Sequence, residues 1–176
     1  MLSGVLLVKA RPGGPSAVCT FDGREYPCLV GKTGVCLAED KREGDGKTPL
    51  GRWPLVAGFY RPDRAQALGV CQQPLEADMG WCDAAGDALY NQMCPADYGP
   101  SHEFLWLEDT AYDYIGVMDY NLEGAVADDG TGRGSAIFLH VWDDAAAWTA
   151  GCVALKRADL EAVLAGGCDC VEVVLG

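Results

Sequence analysis

Short apolar runs, interrupted every few residues by Gly, Pro or Asp, recur along almost the whole chain of 176 residues. Runs this short, rich in β-branched and aromatic residues, are typical of strands, because a helix needs a longer stretch of helical periodicity. The pattern therefore predicts a mostly β fold. Predicted strands cover residues 1–10, 16–21, 24–30, 34–37, 52–59, 104–107, 114–120, 136–141 and 171–175.

Local signals fix two of these elements more closely. Asp22 and Gly23 predict a hairpin between the second and third strands, because glycine readily adopts the positive φ of a tight turn. Pro27 favours a sheet edge for the third strand, since proline has no N–H to donate. A helix is predicted over Arg157–Ala165, where apolar residues recur at helical spacing and two glycines follow.

The strands are numerous enough for a sandwich or a partly closed barrel with one or two short helices. Residues 69–103 show little regular pattern, and polar, glycine-rich loops occupy residues 38–49 and 123–135. Loops of this length in a compact protein more often line a functional site than serve as simple connections. Without a linker or an internal repeat in the sequence, we expect one domain over residues 1–176.

The net charge of −13 excludes some classes of partner. Nucleic acid and anionic membrane surfaces would be repelled, whereas a neutral or amine-bearing substrate fits. No apolar run approaches the roughly 20 residues of a membrane span, so no membrane insertion is expected. The N-terminal residues lack the basic region and cleavage site of a signal peptide, which favours the cytoplasm, with the periplasm or cell envelope left open.

Nine cysteines are many for a chain of this length, but they form no C-x-x-C pair. Only two histidines are present, so a zinc site of ordinary spacing is not expected, and neither is any cofactor. Most of these thiols are predicted to be small buried hydrophobic groups in a reducing compartment.

His140 and Cys152 are the strongest candidates for chemistry. A thiol needs a base or a positive environment to become a good nucleophile, and an imidazole supplies both. Gly151 lets a carbonyl approach closely and leaves the Cys152 N–H available as an oxyanion donor. Taken alone, the residues fit equally well a buried thiol and a histidine at the end of a strand.

An ordered series of motifs adds to this pattern. The residues 149–153, Thr-Ala-Gly-Cys-Val, follow the His140 strand, and the residues 41–51 read K-R-E-G-D-G-K-T-P-L-G. Further matching pieces are Gly80-Trp81-Cys82-Asp83, Tyr90-Asn91, His102-Glu103, Tyr112-Asp113 and the run from Gly134 to His140. Together, from about residue 31 to residue 176, they resemble the leaderless branch of the L,D-transpeptidase (YkuD-like) catalytic domain family.

The resemblance implies a β-sandwich-type fold with the cysteine in a cleft. It also implies acyl transfer on peptidoglycan stem peptides or muropeptides, with Cys152 as nucleophile, His140 as base and a thioester intermediate. Two positions depart from the family pattern: Ala150 replaces the histidine before Gly-Cys, and Ala154 stands where Asn or Arg is common.

Several polar residues are candidate substrate contacts. Lys41, Arg42 and Asp45 would hold a substrate carboxylate or amine, unless they form an ordinary solvated loop. The remaining candidates are Asn91, His102, Tyr120, Asn121 and Thr149.

Three other functions stay open at this point. A carboxypeptidase or amidase would use the same thiol and base but let water resolve the thioester. A non-catalytic module would bind a muropeptide without turnover. A redox or metal-handling protein would use the cysteine excess, although the lack of C-x-x-C argues against it.

Overall fold

The computed structural model describes residues 4–176, and the start of the predicted first strand, residues 1–3, lies outside them. Most of the regular structure is β, as the sequence predicts. The strands are β1 (Val5–Ala10), β2 (Ser16–Phe21), β3 (Arg24–Leu29), β4 (Val35–Cys36), β5 (Thr48–Pro49), β6 (Gly51–Tyr60), β7 (Gln73–Pro74), β8 (Met79–Cys82), β9 (Met93–Pro95), β10 (His102–Phe104), β11 (Tyr114–Met118), β12 (Phe138–Val141), β13 (Val153–Leu155) and β14 (Cys170–Leu175). A 3₁₀ turn covers Ala38–Asp40 and one α-helix, α1, covers Arg157–Ala165.

The main sheet closes on itself. Its strand order is β11-β12-β13-β3-β2-β1-β14-β6, and β6 also pairs with β11. The first half of β6 pairs with β14 and the second half with β11, so this long strand joins the two edges of the sheet. The expected sandwich is therefore not what the pairing forms; the sheet is barrel-like, with β7 attached beside β6.

Pro27 illustrates how the closed sheet accommodates a residue without an N–H. β3 is an interior strand, but β13 pairs only with its last two residues, Cys28 and Leu29. The side of Pro27 that faces away from β2 therefore has no ladder to interrupt. The prediction of an edge strand therefore holds only locally: Pro27 lies on an interior strand, in a part that is unpaired on one side.

Two apolar clusters fill the part of the chain that the structure describes. The larger lies inside the closed sheet and is capped by Leu160, Val163 and Leu164 of α1, all buried. The smaller contains Trp81, Tyr112, Phe138 and Cys152, and lies where β12 meets a second, three-stranded sheet of order β10-β8-β9.

The three-stranded sheet occupies the section that shows little pattern in the sequence. Its strands are three or four residues long and consist largely of Met, Gly, Cys, Pro and His, which give no clear alternation. The predicted strand over residues 104–107 overlaps this sheet only at Phe104. Among the described residues, no helix is long and apolar enough to cross a membrane.

Candidate active site

Cys152 directly precedes β13, at the point where that strand begins to pair in parallel with β12. Its backbone carbonyl accepts hydrogen bonds from two buried hydroxyls, Thr149 Oγ1 at 2.7 Å and Thr48 Oγ1 at 3.4 Å. A buried hydroxyl needs a hydrogen-bond partner, and both threonine hydroxyls find theirs in the same carbonyl oxygen. The backbone of the candidate nucleophile is thus fixed by residues from two loops.

Gly151 has a φ of +150°, a region that side-chain-bearing residues rarely adopt. A Cβ at this position would lie 2.9 Å from the Lys47 carbonyl oxygen and 3.2 Å from Ile137 Cδ1. Glycine is therefore required both by the backbone conformation and by the close approach of the neighbouring loop. The turn brings Cys152 against the cleft.

The Cys152 thiol is 7% exposed and donates a hydrogen bond to the Ala136 carbonyl oxygen at 3.1 Å. The Phe138 N–H in turn donates to Cys152 Sγ at 3.4 Å. Burial raises the pKa of Cys152 to about 12, although the Phe138 hydrogen bond opposes the shift. The resting group is therefore a neutral thiol.

His140 lies on β12, two residues beyond Phe138, so both side chains leave the strand on the same face. Its Nδ1 lies 2.8 Å from the Val141 carbonyl oxygen. Because a carbonyl only accepts, Nδ1 carries the proton and Nε2 keeps its lone pair. Burial lowers the pKa of His140 below its ordinary value, against opposing hydrogen bonds to backbone carbonyls, so the imidazole is neutral.

Tyr112 packs against the candidate base and against Phe138, whose N–H donates to the thiol. Its ring packs edge-on against His140 at 5.4 Å and against Phe138 at 5.9 Å between ring centroids. Among residues 4–176, no hydrogen bond joins His140 to Cys152, because the thiol points to the Ala136 carbonyl instead. Ala136 itself has a φ of +51°, and its N–H is held by Asn91 Oδ1 at 2.9 Å.

A cleft of about 160 Å³ opens over the thiol. Its charged lining consists of three carboxylates, Glu43, Asp83 and Glu103, and one ammonium, Lys41. Tyr112, Gly151 and Cys152 also line the cleft. A cleft with this balance favours a ligand that carries positive charge or hydrogen-bond donors.

The three carboxylates differ in their partners. Glu43 Oε2 accepts from the Tyr90 hydroxyl at 2.6 Å and from Ser135 Oγ at 2.8 Å. Glu103 Oε2 accepts from the Tyr112 hydroxyl at 3.0 Å, and burial raises the pKa of Glu103 to about 7. Asp83 Oδ1 is buried and has no hydrogen-bond partner within residues 4–176.

A family model described as the L,D-transpeptidase catalytic domain (YkuD) matches residues 22–165. The match covers most of the chain and includes His140, Cys152 and all the cleft residues named above. This chain belongs to the L,D-transpeptidase catalytic domain family. No curated protein and no solved structure matched the sequence. Members of the L,D-transpeptidase family act on peptidoglycan peptides.

Of the residues that sequence reasoning assigned to this L,D-transpeptidase site, Lys41, Gly151 and Cys152 line the cleft. Lys41 is only 2% exposed, and its Nζ donates to Asp45 Oδ1 at 2.6 Å and to the Arg42 carbonyl. Asp45 also accepts from the backbone N–H groups of Arg42 and Lys47. Lys41 and Asp45 therefore stabilise the loop, while Lys41 also faces the cleft.

Four other candidates lie outside the cleft lining and form hydrogen bonds within the neighbouring loops. The Arg42 guanidinium donates to the carbonyls of Glu39 and Lys41. Asn91 makes four hydrogen bonds, to Trp81, Ala136, Tyr120 and Asn121. The Tyr120 hydroxyl donates to the Arg133 carbonyl at 2.6 Å, and Asn121 Nδ2 donates to the Gly134 carbonyl at 2.8 Å.

His102 is also outside the cleft lining. Its ring nitrogens lie 2.8 Å from the Pro100 carbonyl oxygen and 3.0 Å from that of Ala96. Both neighbours are acceptors, and the two hydrogen bonds raise the pKa of His102 above its ordinary value. This geometry anchors the loop before β10 and leaves no ring nitrogen for a substrate.

Sequence reasoning did not assign Glu43, Asp83, Glu103 or Tyr112 to the site. All four belong to motifs that carry the family resemblance, which was the available signal. They come from four separate segments that meet at one cleft: Asp83 and Glu103 from the three-stranded sheet, Tyr112 from the residues before β11, and Glu43 from a loop held by Tyr90 and Ser135.

Proposed function

We propose that this protein is a cysteine acyltransferase that acts on D-amino-acid-containing stem peptides of peptidoglycan through a thioester on Cys152. The observation that carries the proposal is the arrangement of Cys152 and His140. His140 lies on β12, and Cys152 directly precedes β13, the strand that pairs in parallel with β12. The thiol lies in the lining of a cleft, and the imidazole is neutral with Nδ1 against the Val141 carbonyl. Membership of the L,D-transpeptidase family supports the substrate class.

In the first half-reaction, the thiol rotates away from the Ala136 carbonyl and gives its proton to Nε2 of His140. Sγ attacks the amide carbonyl of the donor peptide, and the Cys152 N–H donates to the developing oxyanion. The C–N bond breaks, and the imidazolium returns the proton to the leaving amine. A thioester and a free D-amino acid result.

In the second half-reaction, an amine on another stem peptide attacks the thioester carbonyl, the C–S bond breaks and the thiolate leaves. The new amide is a cross-link. Attack by water at the same step gives a carboxypeptidase instead, so the two outcomes differ only in the acceptor. The cleft charge favours an amine, because an ammonium is attracted to three carboxylates.

The test is intact mass after incubation with a carbapenem, a β-lactam that typically acylates the nucleophile of this family, and in parallel with a muropeptide. We expect one adduct on the wild type, none on Cys152→Ala, and acylation slowed by about 10²-fold or more in His140→Gln, which lacks the base. Cys36→Ala is the matched thiol control, since Cys36 is half-buried and outside the cleft lining. It should react like the wild type.

An adduct that persists in Cys152→Ala but disappears in Cys36→Ala would refute the proposal. So would a wild type that takes no adduct, leaves the muropeptide unchanged and alkylates at Cys152 no faster than an ordinary buried thiol. Product analysis with and without an acceptor amine then separates transfer from hydrolysis.

A further inference from the structure

The inner face of the three-stranded sheet presents two carboxylates to the thiol. Glu103 on β10 pairs with Trp81 on β8, and the Asp83 N–H donates to the Ser101 carbonyl. Because alternate residues share a face, Trp81, Asp83 and Glu103 all point to the same side. Trp81 packs edge-on against Phe138 at 5.0 Å, which identifies that side as the one facing Cys152.

Glu103 and His140 lie on two sides of one tyrosine. The Tyr112 ring packs against the His140 ring, while its hydroxyl donates to Glu103 Oε2 at 3.0 Å. Glu103 lines the cleft together with Cys152, whereas His140 is not part of that lining. Within the described chain, the proton acceptor on the open side of the thiol is therefore a carboxylate.

The groups around Glu103 determine the pH at which its carboxyl group ionises. The charged and titratable groups that share the cleft with Glu103 are Lys41, Glu43, Asp83, Tyr112 and Cys152. Burial, followed by the like charges of Asp83 and Glu43, raises the pKa of Glu103 to about 7, against the opposing Tyr112 hydrogen bond. A base whose pKa lies near the working pH accepts protons most effectively in a transition state.

Acyl transfer to an amine releases two protons when the acceptor arrives as an ammonium. One must leave before attack, because the ammonium has no lone pair, and one leaves as the amide forms. His140 handles the thiol proton in the first half-reaction, but no group on the proposed pathway yet serves the incoming amine. Asp83 also lines the cleft, and its buried Oδ1, which has no hydrogen-bond partner within residues 4–176, is a second acceptor.

We propose that Glu103 is the general base for the acyl acceptor and that, with Asp83, it selects an acceptor bearing a primary ammonium. The inference rests on the proposed acyl transfer. An N–H of the ammonium gives its proton to the Glu103 carboxylate, and the freed lone pair forms the C–N bond at the thioester carbonyl. The C–S bond breaks, the thiolate leaves, and the second N–H proton passes to Nε2 of His140.

The test separates the two half-reactions. Acylation by a carbapenem reports the first, and product ratios from a muropeptide donor with methylamine, hydroxylamine or water report the second. Methylamine is an ammonium at neutral pH, whereas hydroxylamine is largely uncharged. We expect Glu103→Gln to acylate within about threefold of the wild type but to transfer to methylamine at least about tenfold more slowly. Transfer to hydroxylamine should fall less.

The pH dependence distinguishes a base from a structural residue. In the wild type, the ratio of aminolysis to hydrolysis should rise through about pH 7, as Glu103 loses its proton, and this inflection should be missing in Glu103→Gln. Tyr112→Phe removes the hydrogen bond that lowers the pKa of Glu103, so its inflection should move to higher pH. Glu76→Gln, an exposed carboxylate outside the cleft, should match the wild type.

Two results overturn the inference alone. One is Glu103→Gln transferring to methylamine at the wild-type rate with the wild-type inflection, and the other is Tyr112→Phe leaving the inflection in place. A wild type that is never acylated overturns the proposed function, and the inference with it. If the wild type is acylated but Glu103→Gln transfers to methylamine as the wild type does, the proposed function stands and only the inference fails.

Discussion

At the scale of single residues, Gly151 is the position where the site tolerates least change. In Gly151→Ala, the new Cβ would meet the Lys47 carbonyl and a backbone of φ +150°. We expect carbapenem acylation to fall by tenfold or more and the unfolding free energy to fall by about 1–3 kcal/mol. Stopped-flow acylation and urea denaturation measure the two effects.

Gly13→Ala is the control for backbone strain alone. Gly13 also has a positive φ of 77°, but nothing lies within 4 Å of its Cβ position. It should lose some stability and no acylation rate. Equal acylation by Gly151→Ala and the wild type would show that the close approach of the Lys47 loop does not position the thiol.

Glu103 should also make the unfolding free energy of the protein depend on pH. Its pKa in the folded protein is about 7, above the ordinary carboxyl value of 4.5, so folding favours the protonated form. The contribution is complete below pH 4.5 and is lost as pH rises through 7. The unfolding free energy of the wild type, relative to Glu103→Gln, should therefore fall by about 3 kcal/mol between acid and alkaline pH.

Urea denaturation of both proteins from pH 4.5 to pH 8.5 measures this difference. A difference that does not change with pH would mean that folding leaves the pKa of Glu103 at its ordinary value, as for an exposed carboxylate.

The residues of the site were predictable to the extent that they are close in sequence. Thr149, Gly151 and Cys152 form one turn, and the family motif places His140 just before it. Glu43, Asp83 and Glu103 each look like an exposed charge in their own segments, and most such charges are exposed. Nothing local indicates that three of them converge on one thiol.

At the scale of elements, one buried carboxylate joins the helix to the closed sheet. Asp113, fully buried before β11, accepts from Arg157 Nη1 at the start of α1 at 2.6 Å and from Arg64 Nη1 at 3.3 Å. In Asp113→Asn, Arg157 and Arg64 each lose their buried carboxylate partner and keep only a more exposed one, Glu161 and Asp63 respectively. We expect the unfolding free energy to fall by about 2–4 kcal/mol, because breaking a buried ion pair leaves charge uncompensated.

Glu161→Gln is the matched control, since Glu161 pairs with the same Arg157 at 3.0 Å but on the exposed surface of the helix. Its loss should stay below about 0.5 kcal/mol. Equal losses in the two variants, measured by urea denaturation, would show that Asp113 does not connect α1 to the sheet.

Elements with strong local signals were predicted closely and the others were not. The helix has the predicted bounds, and the Asp22-Gly23 hairpin joins β2 and β3 as expected. β8, β9 and β10 were not recognised because each is too short to show alternation, and their pairing depends on contacts between distant segments. Local propensity therefore predicts the strands of the closed sheet better than those of the three-stranded sheet beside the cleft.

At the scale of the whole molecule, the sequence predicts a mostly β fold but does not indicate whether the main sheet closes on itself. Strand lengths and turns are compatible with either a sandwich or a barrel, because both bury one face of each strand. The choice is made by β6, whose two halves pair with different strands, and no local pattern in its ten residues signals that division.

The parallel pairing of β1 with β14 has a consequence for how the protein is made. β14 follows every other described strand in the chain, yet it inserts between β1 and β6 in the middle of the sheet order. On the ribosome, β1 and β2 emerge first and form a hairpin with one unsatisfied side. The barrel closes only after the segment following α1 has left the exit tunnel, so until then β1 has an unpaired edge of the kind that favours pairing with other chains.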